Sequence, residues 1–146
     1  MAKRILVPLD RTSTAEAIIP LIAAVARTSG ATVRLLHVAP APHNVEMPAG
    51  HVIAYADQEM DRLQVEHTEY MRAVAEAHLT GVPTEVGVRF GQAVDEILEE
   101  VAAFGADLIG VATKTRSSIT RALLGSVAEE LVRRAPVAVM LVRPEP

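Results

Sequence analysis

The sequence predicts an α/β fold in which a parallel sheet carries helices on both faces. Short apolar runs alternate along the chain with stretches of helical periodicity, in the order β-α-β-α-β-α-β-α-β. Several runs are nearly continuous rather than alternating, as strands buried on both faces are. Glycines, prolines and capping residues sit between them, where helices must start and stop.

Residues 5–9 form the first apolar run, ending at Asp10. Ser13 with Glu16 three residues later resembles a capping box, so one helix is expected from Ser13 to Gly30, with Ile18, Ile19, Leu21, Ile22 and Val25 on a broad apolar face. The second strand is 31–38. Residues 39–54 carry Pro40, Pro42, Pro48 and Gly50, a density that opposes regular structure and predicts a long flexible connection. From 55 to 79, Met60, Leu63, His67, Met71, Val74 and His78 recur at helical spacing, with Asp57, Glu59, Asp61, Glu66 and Glu69 on the wet face. Residues 84–90 alternate as a strand. Gly91 opens a helix over 92–103, and 107–112 is the fourth strand. The last helix spans 126–134, with a second capping box in Ser126 and Glu129 and with Leu131 and Val132 assigned to the core. The final strand is 137–142. The whole, 1–146, reads as a single domain.

Composition narrows the function classes. Half of the 146 residues are hydrophobic, with two Phe, two Tyr and no Trp, so the core is aliphatic. The absence of cysteine excludes disulfides and thiolate metal sites. The five histidines form no ligand pattern, so no metal site is expected. A net charge of −4 with dispersed basic residues disfavours nucleic acid as partner. No apolar run approaches the ~18 residues of a membrane span, and the first residues lack a secretory signal, so a cytoplasmic location is expected. No nucleophile is paired with a base, and Lys114 stands in no Gly-x-x-x-x-Gly-Lys-Ser/Thr phosphate loop. No catalytic residue is assigned, and a dedicated enzyme is the less favoured class.

Taken together, Arg4-Ile-Leu-Val-Pro-Leu-Asp10, Leu35-Leu-His-Val38, Arg89-Phe-Gly-Gln-Ala93, Ala106-Asp-Leu-Ile-Gly-Val111 and Leu123-Leu-Gly-Ser-Val-Ala-Glu-Glu-Leu-Val132 followed by Ala135-Pro136 resemble the universal stress protein family over essentially the whole chain. The resemblance implies an open five-stranded parallel sheet of order 3-2-1-4-5, a Rossmann-like arrangement of the adenine nucleotide alpha hydrolase type. It places Asp10, Arg11 and Thr12 beside 112–118 at the switch point of the sheet, where open α/β sheets bind ligands. Val38 and Ala39 would close an adenine side. Ala112, Thr113, Lys114, Arg116, Ser117 and Ser118, with Gly125, Ser126 and Val127, would meet phosphates at a helix start.

ATP-binding relatives follow strand four with Gly-x-x-Gly, nine residues, then Gly-Ser. In this chain the spacing is intact, but the early glycines are Ala112 and Thr115, Ser118 replaces a further glycine, and Arg11 stands where glycine is usual after strand one. A side chain at 112 or 115 could fill the phosphate path or forbid a positive backbone angle. The favoured reading is therefore a homodimer with a stress-response or signalling role through protein partners, in which nucleotide binding is weak or absent. In family dimers the last strands of two subunits meet antiparallel. That implies pairing through 137–142, with Val139 and Leu141 as the interface pair; the simpler reading packs both beneath the helices. The alternative function is an ATP- or AMP-binding switch, with Mg²⁺ if ATP and with slow hydrolysis, that holds phosphate through the hydroxyls of Thr113, Thr115, Ser117 and Ser118 together with Lys114 and Arg116.

Overall fold

Ile5, Leu6 and Val7 are consecutive and all wholly buried, so both faces of the strand that carries them are covered. The computed structural model describes residues 2–42, 49–113 and 125–144. Its elements are β1 (Arg4–Pro8), α1 (Ser13–Glu16), α2 (Ile19–Ser29), β2 (Thr32–Ala39), α3 (Ala49–His78), β3 (Thr84–Phe90), α4 (Ala93–Phe104), β4 (Leu108–Ala112), α5 (Ser126–Arg134) and β5 (Ala138–Val142). The five strands form one sheet of order β3-β2-β1-β4-β5, and every pairing is parallel. This is the order the family resemblance implies.

Side-chain alternation sorts the core into two layers. Ile5, Val7, Leu9, Val33 and Leu35 pack with α2 and with Met71, Val74 and Leu79. On the other face Leu6, Leu36, Ile109 and Val111 pack with Val94, Ile97, Val101 and Phe104 of α4 and Ala128 and Leu131 of α5. Gly110 lets α2 lie close to β4: a Cβ there would stand 2.6 Å from Ile22 Cδ1. Beyond α4, β2 and β3 present charge instead of apolar surface. Arg34 Nη1 and Arg89 Nε bind the two carboxylate oxygens of the buried Glu100 at 2.5 and 2.7 Å.

Several boundaries differ from expectation. The single helix from Ser13 is instead α1 and α2, because Pro20 has no N–H to give to the carbonyl four residues back and so sits near a helix start. Ser13 is not the cap. Thr12 is, its hydroxyl accepting from the Ala15 N–H at 3.0 Å, while the Glu16 carboxylate accepts a hydrogen bond from the Tyr70 hydroxyl of α3. The proposed connection 39–54 is shorter, since β2 reaches Ala39 and α3 begins at Ala49; residues 43–48 lie outside the described residues. Leu131 is core as expected, but Val132 is 49 % exposed, and Leu21, expected on the apolar face of the first helix, is 43 % exposed. No helix among the described residues is long and apolar enough to cross a membrane.

Candidate functional site

The carboxyl ends of β1 and β4 lie side by side, yet α2 and α5, the helices that come after them, pack on opposite faces, which leaves a crevice between the strand ends. A cleft of about 210 Å³ occupies it. Asp10, Thr14 and Ala15 form one side, while Ala112 and the first residues of α5, Gly125 to Ala128, form the other. Val38, Ala93, Ile97 and Val111 supply an apolar wall. The cleft thus offers a greasy surface for a flat ring, a carboxylate at one end and a helix start at the other.

The helix start is the part suited to an anion. The first intrahelical bond of α5 runs from the Glu129 N–H to the Gly125 carbonyl at 3.0 Å. The N–H groups of Ser126, Val127 and Ala128 therefore have no acceptor within the helix. The Ser126–Glu129 capping box does not form: Gly125 is the N-cap, at φ 88° and ψ 152°, with no side-chain cap. That backbone conformation is essentially restricted to glycine. Ser126 already belongs to the helix, so its side chain is not in the extended position from which a cap reaches back.

The turn after β1 is organised differently. Asp10 Oδ1 accepts from the Thr12 N–H at 3.0 Å and the Thr12 hydroxyl at 2.5 Å, so Asp10 both lines the cleft and braces its own turn. Arg11 has φ 69°, the one positive value at a non-glycine residue among the described residues. Its guanidinium turns away to α3, with Nη1 3.0 Å from Glu66 Oε1 and 3.4 Å from His67 Nδ1, and its central carbon 5.0 Å from the Tyr70 ring centre. Beside it, the His67 and His37 rings lie in contact, their centres 4.0 Å apart and their planes tilted by 35°, and His37 Nδ1 donates to the Leu9 carbonyl at 2.7 Å. Burial holds the His67 imidazole below its ordinary pKa, and the neighbouring His37 and Arg11 add to the shift. The Glu66 carboxyl is lowered by the Arg11 guanidinium.

The cleft therefore gathers Asp10, Val38, Ala112, Gly125, Ser126 and Val127 from the residues singled out in the sequence. Arg11 points elsewhere. Thr113 is buried, its N–H and hydroxyl both donating to the Val142 carbonyl at 2.8 and 3.5 Å, which ties it to β5 rather than to the cleft. Lys114, Thr115, Arg116, Ser117 and Ser118 lie outside the described residues. Ala112 carries no positive φ, so its methyl group strains no backbone in this structure, and the residue lines the cleft. Val139 and Leu141 pack against the α4–α5 layer. Sequence reasoning missed Thr14, Ala93 and Ile97, which a helix-start position near a strand end could have signalled. It had no signal for Arg11 meeting a helix 55 positions away.

The universal stress protein family model matches residues 1–143. A curated relative, the "universal stress protein in QAH/OAS sulfhydrylase 3′ region" of Thermus aquaticus, is 31 % identical over 145 residues, covering 98 % of this chain and all 100 % of the relative. Among solved structures, a hypothetical protein studied as a test case of structural genomics superposes with a TM-score of 0.80 at 24 % identity, covering 99 % and 97 % of the two chains. A universal stress protein solved in complex with cAMP superposes at 0.67 with 20 % identity, covering 97 % of each chain. At those identities the two superpositions establish the fold.

Proposed function

The chain belongs to the universal stress protein family, and we propose that it is a nucleotide-binding member whose switch-point cleft takes an adenine mononucleotide. One observation carries this reading: the uncapped start of α5, held open by Gly125, faces Asp10 across an apolar wall. Anions settle where free backbone N–H groups converge. The base would lie against Val38 and Ile97, Asp10 would accept from the ribose or base, and the phosphate would meet Ser126 to Ala128. A family member of the same fold was solved with cAMP, which supports this ligand class. Ala112 is unstrained, so what it brings to the cleft is the bulk of one methyl group.

Titration with labelled AMP, cAMP and ATP tests the reading. Saturable micromolar binding of at least one, lost in Gly125→Val, is expected. Absence of binding by all three at millimolar concentration overturns it. The reading assigns binding and no catalytic residue.

A second element of the proposal is a homodimer that signals through protein partners. It rests on β5, which pairs only with β4 among the described residues and so leaves a strand edge open. Since Val139 and Leu141 face the α4–α5 layer, the contact would be main-chain pairing of two β5 strands. A sedimentation measurement that remains monomeric at high protein concentration would remove this element.

A further inference from the structure

Between the cleft and α3 lies a stack of side chains that the binding reading does not use. Leu9, Asp10 and Arg11 are consecutive, and each is gripped: Leu9 through its carbonyl by His37, Asp10 by Thr12, and Arg11 by Glu66, His67 and Tyr70. The backbone of Arg11 sits in the left-handed region, which costs a side-chain-bearing residue energy and persists only where the surroundings hold it. On the α3 side the holding groups are the Glu66 carboxylate, the His67 ring and the Tyr70 face.

One of these groups, the His67 ring, gains a charge as pH falls below the ordinary histidine range. A guanidinium only donates, so His67 Nδ1 accepts from Arg11 and the neutral ring keeps its proton on Nε2. The Leu9 carbonyl only accepts, so His37 presents a proton at Nδ1 and its ring lies against His67. Protonating His67 at Nδ1 would turn the acceptor facing Arg11 into a donor and set one cation against another. The charged groups around His67 are Arg62 and Glu66 on its own helix, Arg11 on the β1–α1 turn and His37 on β2, with Asp10 and Glu16 acting on the adjoining Tyr70. Glu66 alone would favour the charged ring, and it is already shared between Arg11 and Arg62.

We propose that neutral His67 is a positioning residue that latches Arg11, and with it the Asp10–Thr12 turn, so that protonation of His67 releases the turn and weakens ligand binding in the adjacent cleft. This rests on the nucleotide-binding reading for its ligand, but the latch itself is a property of the unliganded fold.

Cyclic AMP is the suitable probe, because its phosphodiester lacks the second phosphate ionisation near pH 6 that would confuse a titration with AMP. Because the His67 ring is held below the ordinary histidine value, wild-type affinity is expected to hold near neutrality and to fall about tenfold as pH drops from about 6.5 to about 4.5. In His67→Gln, whose amide oxygen can accept from Arg11 but does not titrate, affinity at the alkaline end should match wild type and change less than about twofold across the range. Equal slopes in the two proteins, or a flat wild-type profile, would overturn the proposal. A second measurement is independent of ligand: the amide resonances of Arg11 and Thr12 should titrate together with the His67 ring. Resonances that stay fixed while the ring takes up its proton overturn the latch. Should cyclic AMP bind at no pH, the titrations with AMP and ATP still decide the nucleotide reading, and these resonances alone decide the latch.

Discussion

Helices α4 and α5 lie on the same face of the sheet and both begin at the cleft, yet their first turns are opposites. Gln92 caps α4, its side-chain oxygen accepting from the Asp95 N–H at 2.8 Å, and Asp95 and Glu96 place negative charge in the first turn. Helix α5 begins at a glycine with no side-chain cap. One helix start satisfies an unpaired N–H with a side chain and sets two carboxylates against its dipole; the other lines the cleft with no side-chain cap. The difference teaches that what the cleft offers an anion is main-chain N–H groups left without a cap rather than charged side chains.

The two helices should therefore respond differently to substitution. The largest effect is expected in α4, where Glu100→Ala leaves Arg34 and Arg89 without the buried carboxylate between them. A loss of about 3 kcal/mol is expected in urea unfolding, with nucleotide affinity unchanged. Burial pushes the Glu100 carboxyl up, but hydrogen bonds from Arg89 and Arg34 outweigh it and hold it below the usual range. A lowered folded-state value means that the carboxylate stabilises the fold above the ordinary carboxylate range and that this is lost as pH falls through the folded value. Glu100→Gln should accordingly flatten the acid limb of the stability curve measured by thermal unfolding.

Gly125→Ala comes next, forcing a side chain into a backbone region almost reserved for glycine at a cost of about 2 kcal/mol. Nucleotide affinity should fall at least about tenfold with it, in contrast to Glu100→Ala. Removing the cap of α4 by Gln92→Ala should cost about 1 kcal/mol by the same unfolding measurement and leave affinity within about twofold. An equal loss of affinity in Gln92→Ala and Gly125→Ala would break the contrast between the two starts. The smallest and most discriminating change is Ser126→Asp. A carboxylate in the first turn of α5 should raise stability by ~0.5 kcal/mol while calorimetry shows weaker nucleotide binding, because the new charge competes with the phosphate.

Much of the fold was legible because it follows from periodicity. Continuous apolar runs such as Ile5 to Val7 announce strands covered on both faces, and Gly30 and Gly105 mark helix ends where the structure has them. Local hydrogen bonding was harder to read. Both Ser-x-x-Glu patterns suggested capping boxes, and neither forms: Thr12 takes the role at α1, where Tyr70 of α3 engages Glu16, and Gly125 precedes Ser126 at α5. Such a pattern states what a side chain could reach, not which competitor reaches first. Of the candidate site, Asp10, Val38, Ala112, Gly125, Ser126 and Val127 were named from family spacing and meet at one cleft. Thr113 was drawn instead to a main-chain acceptor on β5.

By itself, the sequence determined the fold class, the element order and a glycine at the start of the last helix, since each depends on neighbours within a few positions along the chain. Tertiary structure alone decided that Arg11 turns from the cleft to α3, that two histidines thirty positions apart meet beside it, and that α5 presents its N–H groups uncapped. Those outcomes depend on which groups the folded sheet brings within hydrogen-bond reach, and no local pattern in the chain encodes that distance.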